Sequence, residues 1–411
     1  MERTIVGIDV GTTKICTLVG QVDENDVLRV VGVGVVPSRG LSKGVITDVE
    51  EAAKSIGESV RKAERISGYI VEEAYVGVAG SHISSQNSRG VIAIGRGDRP
   101  VDRDDIERAM EAAQAIAIPH NRRIVHAIPR GFTIDDQGGI KNPLGLMGFR
   151  LEVEAHIITG AVTAIQNLVR CVEMNQIAIA DLILQPLASA EAVLTPEEKN
   201  MGVAVVDIGG GTTDIAIYVE GSIWETQVLA VGGNHMTNDI AVGLRAPFAA
   251  AEEAKIRYAH AFPATVDEEE KIEIATFGEH AVGTVSRREL CHIVAIRSEE
   301  ILELVAREIK RSGFDGLLPA GVVLTGGTAN LPGLRDLAAQ VLRLPVRIGM
   351  PRRLHGLMET ISSPAYATSV GLLLWGMRAE AETETGGPVA PSGGPWYQRL
   401  KELFKAFLPR V

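Results

Sequence analysis

Asp9, Gly11, Thr12, Thr13 and Lys14 form one compact cluster, and Asp207, Gly209, Gly210, Gly211, Thr212 and Thr213 form a second with the same order of residue types. In each, a β-branched run ends in the aspartate, a Gly/Thr turn follows, and a second β-branched run leads away, the pattern of a two-stranded hairpin. Glycine lets backbone N–H groups approach an anion with no Cβ in the way, and threonine adds hydroxyl donors. A carboxylate beside such donors makes sense only with a cation. The expected ligand is therefore a phosphate chain with Mg²⁺. Asp9 and Asp207 would face the metal, directly or through its waters, and Lys14 would meet the β- and γ-phosphates as a point charge. Either turn alone reads as an ordinary hairpin; the repeat is the signal.

Weaker candidates follow along the chain. The run Leu324 to Gly333 places Gly326 and Gly327 between a strand and a helix, with Asn330 nearby, so a flat base could lie close to the backbone. Glu252 and Lys255 share one helical face; Glu252 could accept from a ribose hydroxyl and Lys255 could flank base or phosphate, although a solvated pair is the simpler reading. Gln185 ends a strand and could orient a water for in-line attack, or serve only as a loop-edge residue. Gly233 and Asn234 follow a strand and could close over sugar or phosphates.

Positioning these residues requires duplicated halves. After the first hairpin come a strand at Val27 to Val36 and a helix at Asp48 to Ser67; after the second come a strand at Ile223 to Val231 and a helix beginning near Asn238. Residues 1–81 are expected to form a first lobe, completed by 163–197 and 362–378. Residues 82–162 are expected to be an inserted α+β module, with short strand-like runs such as Val91 to Ile94, a helix from Arg103 to Ile116, and strands at Arg123 to Ile128 and Arg150 to Ile158. A second lobe spans 198–237 and 316–361, with a small subdomain at 238–315. A linker is expected at 379–395, before a terminal helix at 396–411. The fold class is α/β, two duplicated lobes facing a cleft.

Bulk properties agree with this. A chain of 411 residues is too long for one compact core, and 45% hydrophobic with only 4% aromatic describes a core of Val, Ile, Ala and Leu. A net charge of −11 argues against a nucleic-acid binder. Three widely spaced cysteines, with no H-E-x-x-H among nine histidines, suit a reducing compartment without a protein-ligated transition metal. No cationic leader and no run of about 18 apolar residues is present, so a cytoplasmic, non-spanning chain is expected.

The end of the chain behaves differently. Trp396, Leu400, Leu403, Phe404, Phe407 and Leu408 fall on one helical stripe, with a local side-chain charge of +3 from four basic residues against Glu402. A basic amphipathic helix of this kind lies in a lipid headgroup layer or docks on protein. A flexible linker of 17 residues would reach roughly 20–25 Å as a coil, which favours the membrane.

The order of these motifs resembles the actin, Hsp70 and sugar-kinase superfamily. The inserted module carrying Ile140 to Leu146, with the run Gly232 to Ile240, resembles in particular the FtsA family of bacterial cell-division proteins. The resemblance spans essentially the whole chain. It implies an actin-like fold, ATP and Mg²⁺ as ligands, polymerisation, tethering of FtsZ to the cytoplasmic face of the inner membrane at the division site, and recruitment of later division proteins. It also places an FtsZ-tail site on residues 238–315, where Arg287, Arg288 and Arg297 are cations that could meet an acidic peptide. Gln185 stands where that family often carries Glu, so hydrolysis is expected to be slow at most. The alternatives are a pilus-assembly relative or a small-molecule kinase of the same superfamily, either of which fits the cleft but not the terminal helix.

Overall fold

The computed structural model describes residues 3–95, 99–277, 282–352, 355–357 and 361–385; the stripe from Trp396 to Leu408 lies outside them. The first lobe is built on a six-stranded sheet in the order Ala178–Leu184, Glu73–Val78, Arg3–Val10, Lys14–Val22, Leu28–Pro37, His355–Gly356. The second lobe repeats the arrangement with five strands, in the order Ser222–Leu229, Thr213–Val219, Val203–Ile208, Val322–Thr325, Val346–Ile348. In both, the opening hairpin is antiparallel and its first strand is joined in parallel to the next, which is the duplication expected. The central strands are buried on both faces, so their sequences run as unbroken β-branched stretches instead of alternating.

Helices cover these sheets. Val49–Ser67 starts at Asp48, whose carboxylate accepts from the Glu50 and Glu51 N–H groups, and stops at Gly68 in the left-handed conformation. Two further helices cross between the lobes. The connecting helix Gln185–Val193 follows directly from its strand, and the closing helix Ala367–Thr385 packs against it. Their backbones nearly touch: a Cβ on Gly371 would lie 1.8 Å from the Ala188 carbonyl oxygen. The first-lobe core takes residues from both ends of the chain, from Ile5 to Trp375.

The inserted segment forms a separate four-stranded sheet, ordered Ser84–Ala93, Arg150–Ala161, Arg122–Ile134, Gln137–Ile140, with the helix Arg103–Gln114 and its own apolar core. Its edge strand Ser84–Ala93 lies beside the second-lobe edge strand Ser222–Leu229. Side chains bridge the seam: Ser85 Oγ donates to the Thr226 carbonyl at 2.8 Å, Asn87 Nδ2 to the Trp224 carbonyl at 3.3 Å, and the buried His156 ring meets Asn87 and Thr226. The two sheets share no strand pairing among the described residues.

Three expectations need correction. The helix placed near Asn238 begins at Gly233. The closing helix runs to Thr385, so Ala379 to Thr385 are helical and not linker. The strands of the inserted module are also longer than the short runs expected, as Ser84–Ala93 and Arg122–Ile134 show.

Candidate functional site between the two lobes

The two Gly/Thr turns face each other across one cavity of about 390 Å³. Gly11, Thr12, Thr13 and Lys14 line it from the first lobe; Asp207, Gly209, Gly210, Gly211 and Thr212 line it from the second. Gln185, Gly233, Asn234, Glu252, Lys255, Gly326, Gly327 and Asn330 line it too. The turns approach closely: a Cβ on Gly210 would lie 1.8 Å from Thr13 Oγ1, and one on Gly211 would lie 2.5 Å from Thr12 Oγ1. Gly326 has φ +87°, and a Cβ there would strike Asp207 Oδ1 at 2.3 Å. Both constraints leave glycine as the residue that fits.

Two expected residues sit elsewhere. Thr213 is fully buried and its hydroxyl donates to the Val231 carbonyl, so it holds the loop that follows the third strand and does not line the cavity. Asp9 lies just behind the lining, its carboxylate taking hydrogen bonds from Gln185 Nε2 at 3.1 Å and Ser369 Oγ at 3.0 Å. Gln185 is thereby committed: its amide also reaches the Val10 carbonyl at 3.4 Å. Asp207 Oδ2 accepts from Ser189 Oγ at 2.5 Å and Thr368 Oγ1 at 3.0 Å. Lys14 Nζ donates to the Ala365 carbonyl and stands 3.5 Å over the centre of the Tyr366 ring.

Sequence reasoning missed Asp214, which lines the cavity although it closes the second motif. It pairs with Asp207 across the hairpin and accepts from Thr212 Oγ1 at 3.0 Å. Its other oxygen is buried without a hydrogen bond among the described residues. Ser189, Thr368 and Ser369 were missed as well, because they act from helices that carry no glycine signature.

Charge in the cavity is unbalanced. Burial pushes the Asp9 carboxyl up to about 6, against the pull of Lys14 and the Ser369 hydrogen bond. Burial also raises Asp207, opposed by its two hydroxyl donors, and raises Asp214 well above the usual carboxylate range, with Asp207 adding to the effect. The same burial lowers Lys14. Three buried carboxylates thus face one ammonium, and one carboxylate oxygen is orphaned; this fits a cation. Among the described residues no three His, Cys, Asp or Glu side chains could together hold an ion. A hard ion here would need oxygens from water or phosphate, as Mg²⁺ does.

At the far end, Lys255 Nζ donates to the Gly233 carbonyl at 3.1 Å, to Thr237 Oγ1 at 2.8 Å and to Glu252 Oε2 at 2.7 Å. Glu252 and Lys255 therefore act as one unit with the start of the Gly233–Gly243 helix. The three arginines expected to meet a partner are not free cations. Arg287 is held by Glu270, Arg288 by Glu268 and the Val266 carbonyl, and Arg297 by Asp239 in a two-point pair, with Glu300 beside it.

Duplicated sheets, two crossing helices and a cleft between matched turns define an actin-like two-lobed protein. The fold matches a PilM–PilN type IV pilus biogenesis complex with a TM-score of 0.67, at 16% identity over 91% of this chain and 98% of that one. It matches MreB5 of Spiroplasma citri bound to ADP with a TM-score of 0.56, at 15% identity over 93% and 98%. A family model for cell division protein FtsA matches residues 204–371, and one for the SHS2 domain inserted in FtsA matches residues 80–159. Cell division protein FtsA of Pseudomonas aeruginosa is 45% identical over 92% of this chain and 91% of its own. That of Escherichia coli K12 is 36% identical over 98% of both. The chain belongs to the FtsA family of cell division proteins. That membership sets aside the pilus-assembly and small-molecule-kinase alternatives, which share only the fold.

Proposed function

We propose that the chain binds ATP with Mg²⁺ between its lobes, polymerises, and tethers FtsZ to the cytoplasmic face of the inner membrane at the division site, where it recruits later division proteins. The observation that carries this reading is the cavity itself: two matched Gly/Thr turns, Lys14 and surplus buried carboxylate charge converge on one space. Bound Mg²⁺ would neutralise charge shared by the phosphates and the aspartates. Asp9 and Asp207 would hold its waters, Lys14 would turn from the Ala365 carbonyl to the phosphates, and Gly326 and Gly327 would flank the base. Glu252 would accept from a ribose hydroxyl, and Lys255 would flank the base or phosphate. Position 185 carries an amide already bonded to Asp9, so no carboxylate base stands there and turnover is slow.

The apolar stripe from Trp396 to Leu408 supplies the membrane contact. Each basic residue near an anionic surface adds about 1 kcal/mol, so one tail holds weakly and many tails on a polymer hold firmly. The FtsZ tail docks on residues 238–315, without relying on free charge from Arg287, Arg288 or Arg297. Self-association draws support from the MamK double helical filament, an actin-like neighbour with a TM-score of 0.52 at 13% identity.

The test combines purified protein, ATP, Mg²⁺, anionic vesicles and an FtsZ C-terminal peptide. Filaments on vesicles that retain the peptide are expected, and Trp396→Glu or Phe404→Glu should abolish vesicle pelleting. Phosphorylation of a small metabolite, with neither filaments nor peptide binding, would overturn the reading.

A further inference from the structure

The two acidic turns are held by a crossed set of four side chains. On the connecting helix Gln185–Val193, Gln185 donates to Asp9 and Ser189, one turn on, donates to Asp207. On the closing helix Ala367–Thr385, the adjacent Ser369 and Thr368 donate to Asp9 and Asp207. Each helix therefore touches both aspartates, and each aspartate takes one donor from each helix. All of these side chains are buried.

We infer that Gln185, Ser189, Thr368 and Ser369 are positioning residues that set the placement of Asp9 relative to Asp207, and so the geometry offered to a metal-bound phosphate chain. The inference rests on the nucleotide reading above and deepens it. Three geometric facts support it. The helices cross in backbone contact at Ala188 and Gly371, so their relative position is fixed to within a side chain's width. Ser189 Oγ and Thr368 Oγ1 lie 2.9 Å apart and both reach the same Asp207 oxygen. Two hydroxyl hydrogens serve three close oxygen pairs, so with both donated to an ionised Asp207 the carboxylate is clamped at Oδ2 and Oδ1 is left towards Gly326 and the cavity. Finally, Gln185 donates its amide to Asp9 and to the Val10 carbonyl, which makes it a brace on the Asp9 turn.

A purely structural role would change folding alone; a positioning role changes how much Mg²⁺ improves nucleotide binding. The experiment measures the Kd of a fluorescent ATP analogue for the full-length protein in Mg²⁺ and in EDTA, with a thermal melt on every sample. Thr368→Val and Ser369→Ala each remove one charge-assisted hydrogen bond, and the tightening given by Mg²⁺ should fall about tenfold, with the Kd in EDTA moving about twofold or less. Thr368→Ser and Ser369→Thr keep the hydroxyl and should restore the tightening. Ser189→Ala tests the other helix if a closing-helix variant fails to fold. Hydroxyl-free variants that melt normally and keep the full Mg²⁺ effect would overturn the brace while leaving the nucleotide reading intact. A wild-type protein that binds no nucleotide in either buffer would overturn both.

Discussion

Asp207 and Asp214 stand directly opposite each other on the second-lobe hairpin, both buried, with a single hydroxyl, that of Thr212, donating to Asp214. Like charges directly opposed on a sheet face are destabilising, so the hairpin carries an electrostatic load that a bound cation would relieve.

That load gives a pH dependence with a definite sign. Asp9, Asp207 and Asp214 are all raised above the usual carboxylate value near 3.8, Asp9 to about 6. The folded state then holds these protons more tightly than the unfolded chain, and the stability this contributes is full below about pH 4; the Asp9 share is lost as pH rises through about 6, and the Asp207 and Asp214 shares as pH rises through their own raised values. From Asp9 alone, ligand-free protein should lose on the order of 1–3 kcal/mol between about pH 4 and 6. Asp214→Asn should therefore gain stability over wild type at pH 7.5 and much less at pH 5. Thermal melts at both pH values check it; equal gains at the two would count against it.

Gly210→Ala should hold the lobes apart. Its Cβ would sit 1.8 Å from Thr13 Oγ1, with Asn234 Oδ1 only 3.1 Å away, so the turns must separate. Nucleotide affinity should drop by about tenfold or more, with a modest change in melting temperature, because overpacking of one methyl costs about 1–3 kcal/mol. Thr13→Gly in the same chain should recover part of the affinity. Equilibrium titration of both variants decides the matter.

Lys14→Met should discriminate between nucleotides by phosphate number. The ammonium lines the cavity beside the first turn, resting on the Ala365 carbonyl and the Tyr366 ring. ATP and ADP affinity should fall about 10–100-fold and AMP affinity far less; Lys14→Arg should not rescue, since a guanidinium differs in shape and hydration. Equal losses for all three nucleotides would argue for a general collapse of the site.

Arg297→Ala should weaken folding and spare peptide binding. Its guanidinium meets both oxygens of Asp239, and that hydrogen bonding raises its own pKa. A double-mutant cycle with Asp239→Asn in urea should give a coupling of about 0.5–1 kcal/mol for this partly exposed pair. FtsZ-peptide affinity should stay within twofold of wild type in the same variants. A tenfold loss would return the arginine to the docking surface.

Much of this site was legible because glycine turns after buried strands leave a local imprint. The connecting helix was legible too, from the strand-to-helix change at Gln185. What was hidden depended on distant contacts. The helix from Gly233 begins early because the Gly233 and Asn234 N–H groups donate to the Gly209 and Gly210 carbonyls and His235 Nδ1 accepts from the Gly232 N–H, partners that no local window of Gly, Asn and His reveals. The arginines looked available because Glu270, Glu268 and Asp239 lie 17, 20 and 58 positions away in sequence, although Glu300 is a local partner of Arg297. Ala379 to Thr385 lack apolar periodicity and read as linker, yet adding residues to a packed helix is far easier than nucleating one, and Ala and Glu propagate it.

The first-lobe sheet is begun by residues 3–37 but its core is closed by Leu372, Leu373 and Trp375. During synthesis, therefore, the strands at residues 3–37 must wait for the helix that begins at Ala367 before their face is covered, while the inserted module, with a core of its own, can fold as soon as it emerges. A chain interrupted before residue 367 would display an open apolar sheet to chaperones and proteases. Completing the first lobe thus doubles as a length check, passed only when translation has run through the closing helix.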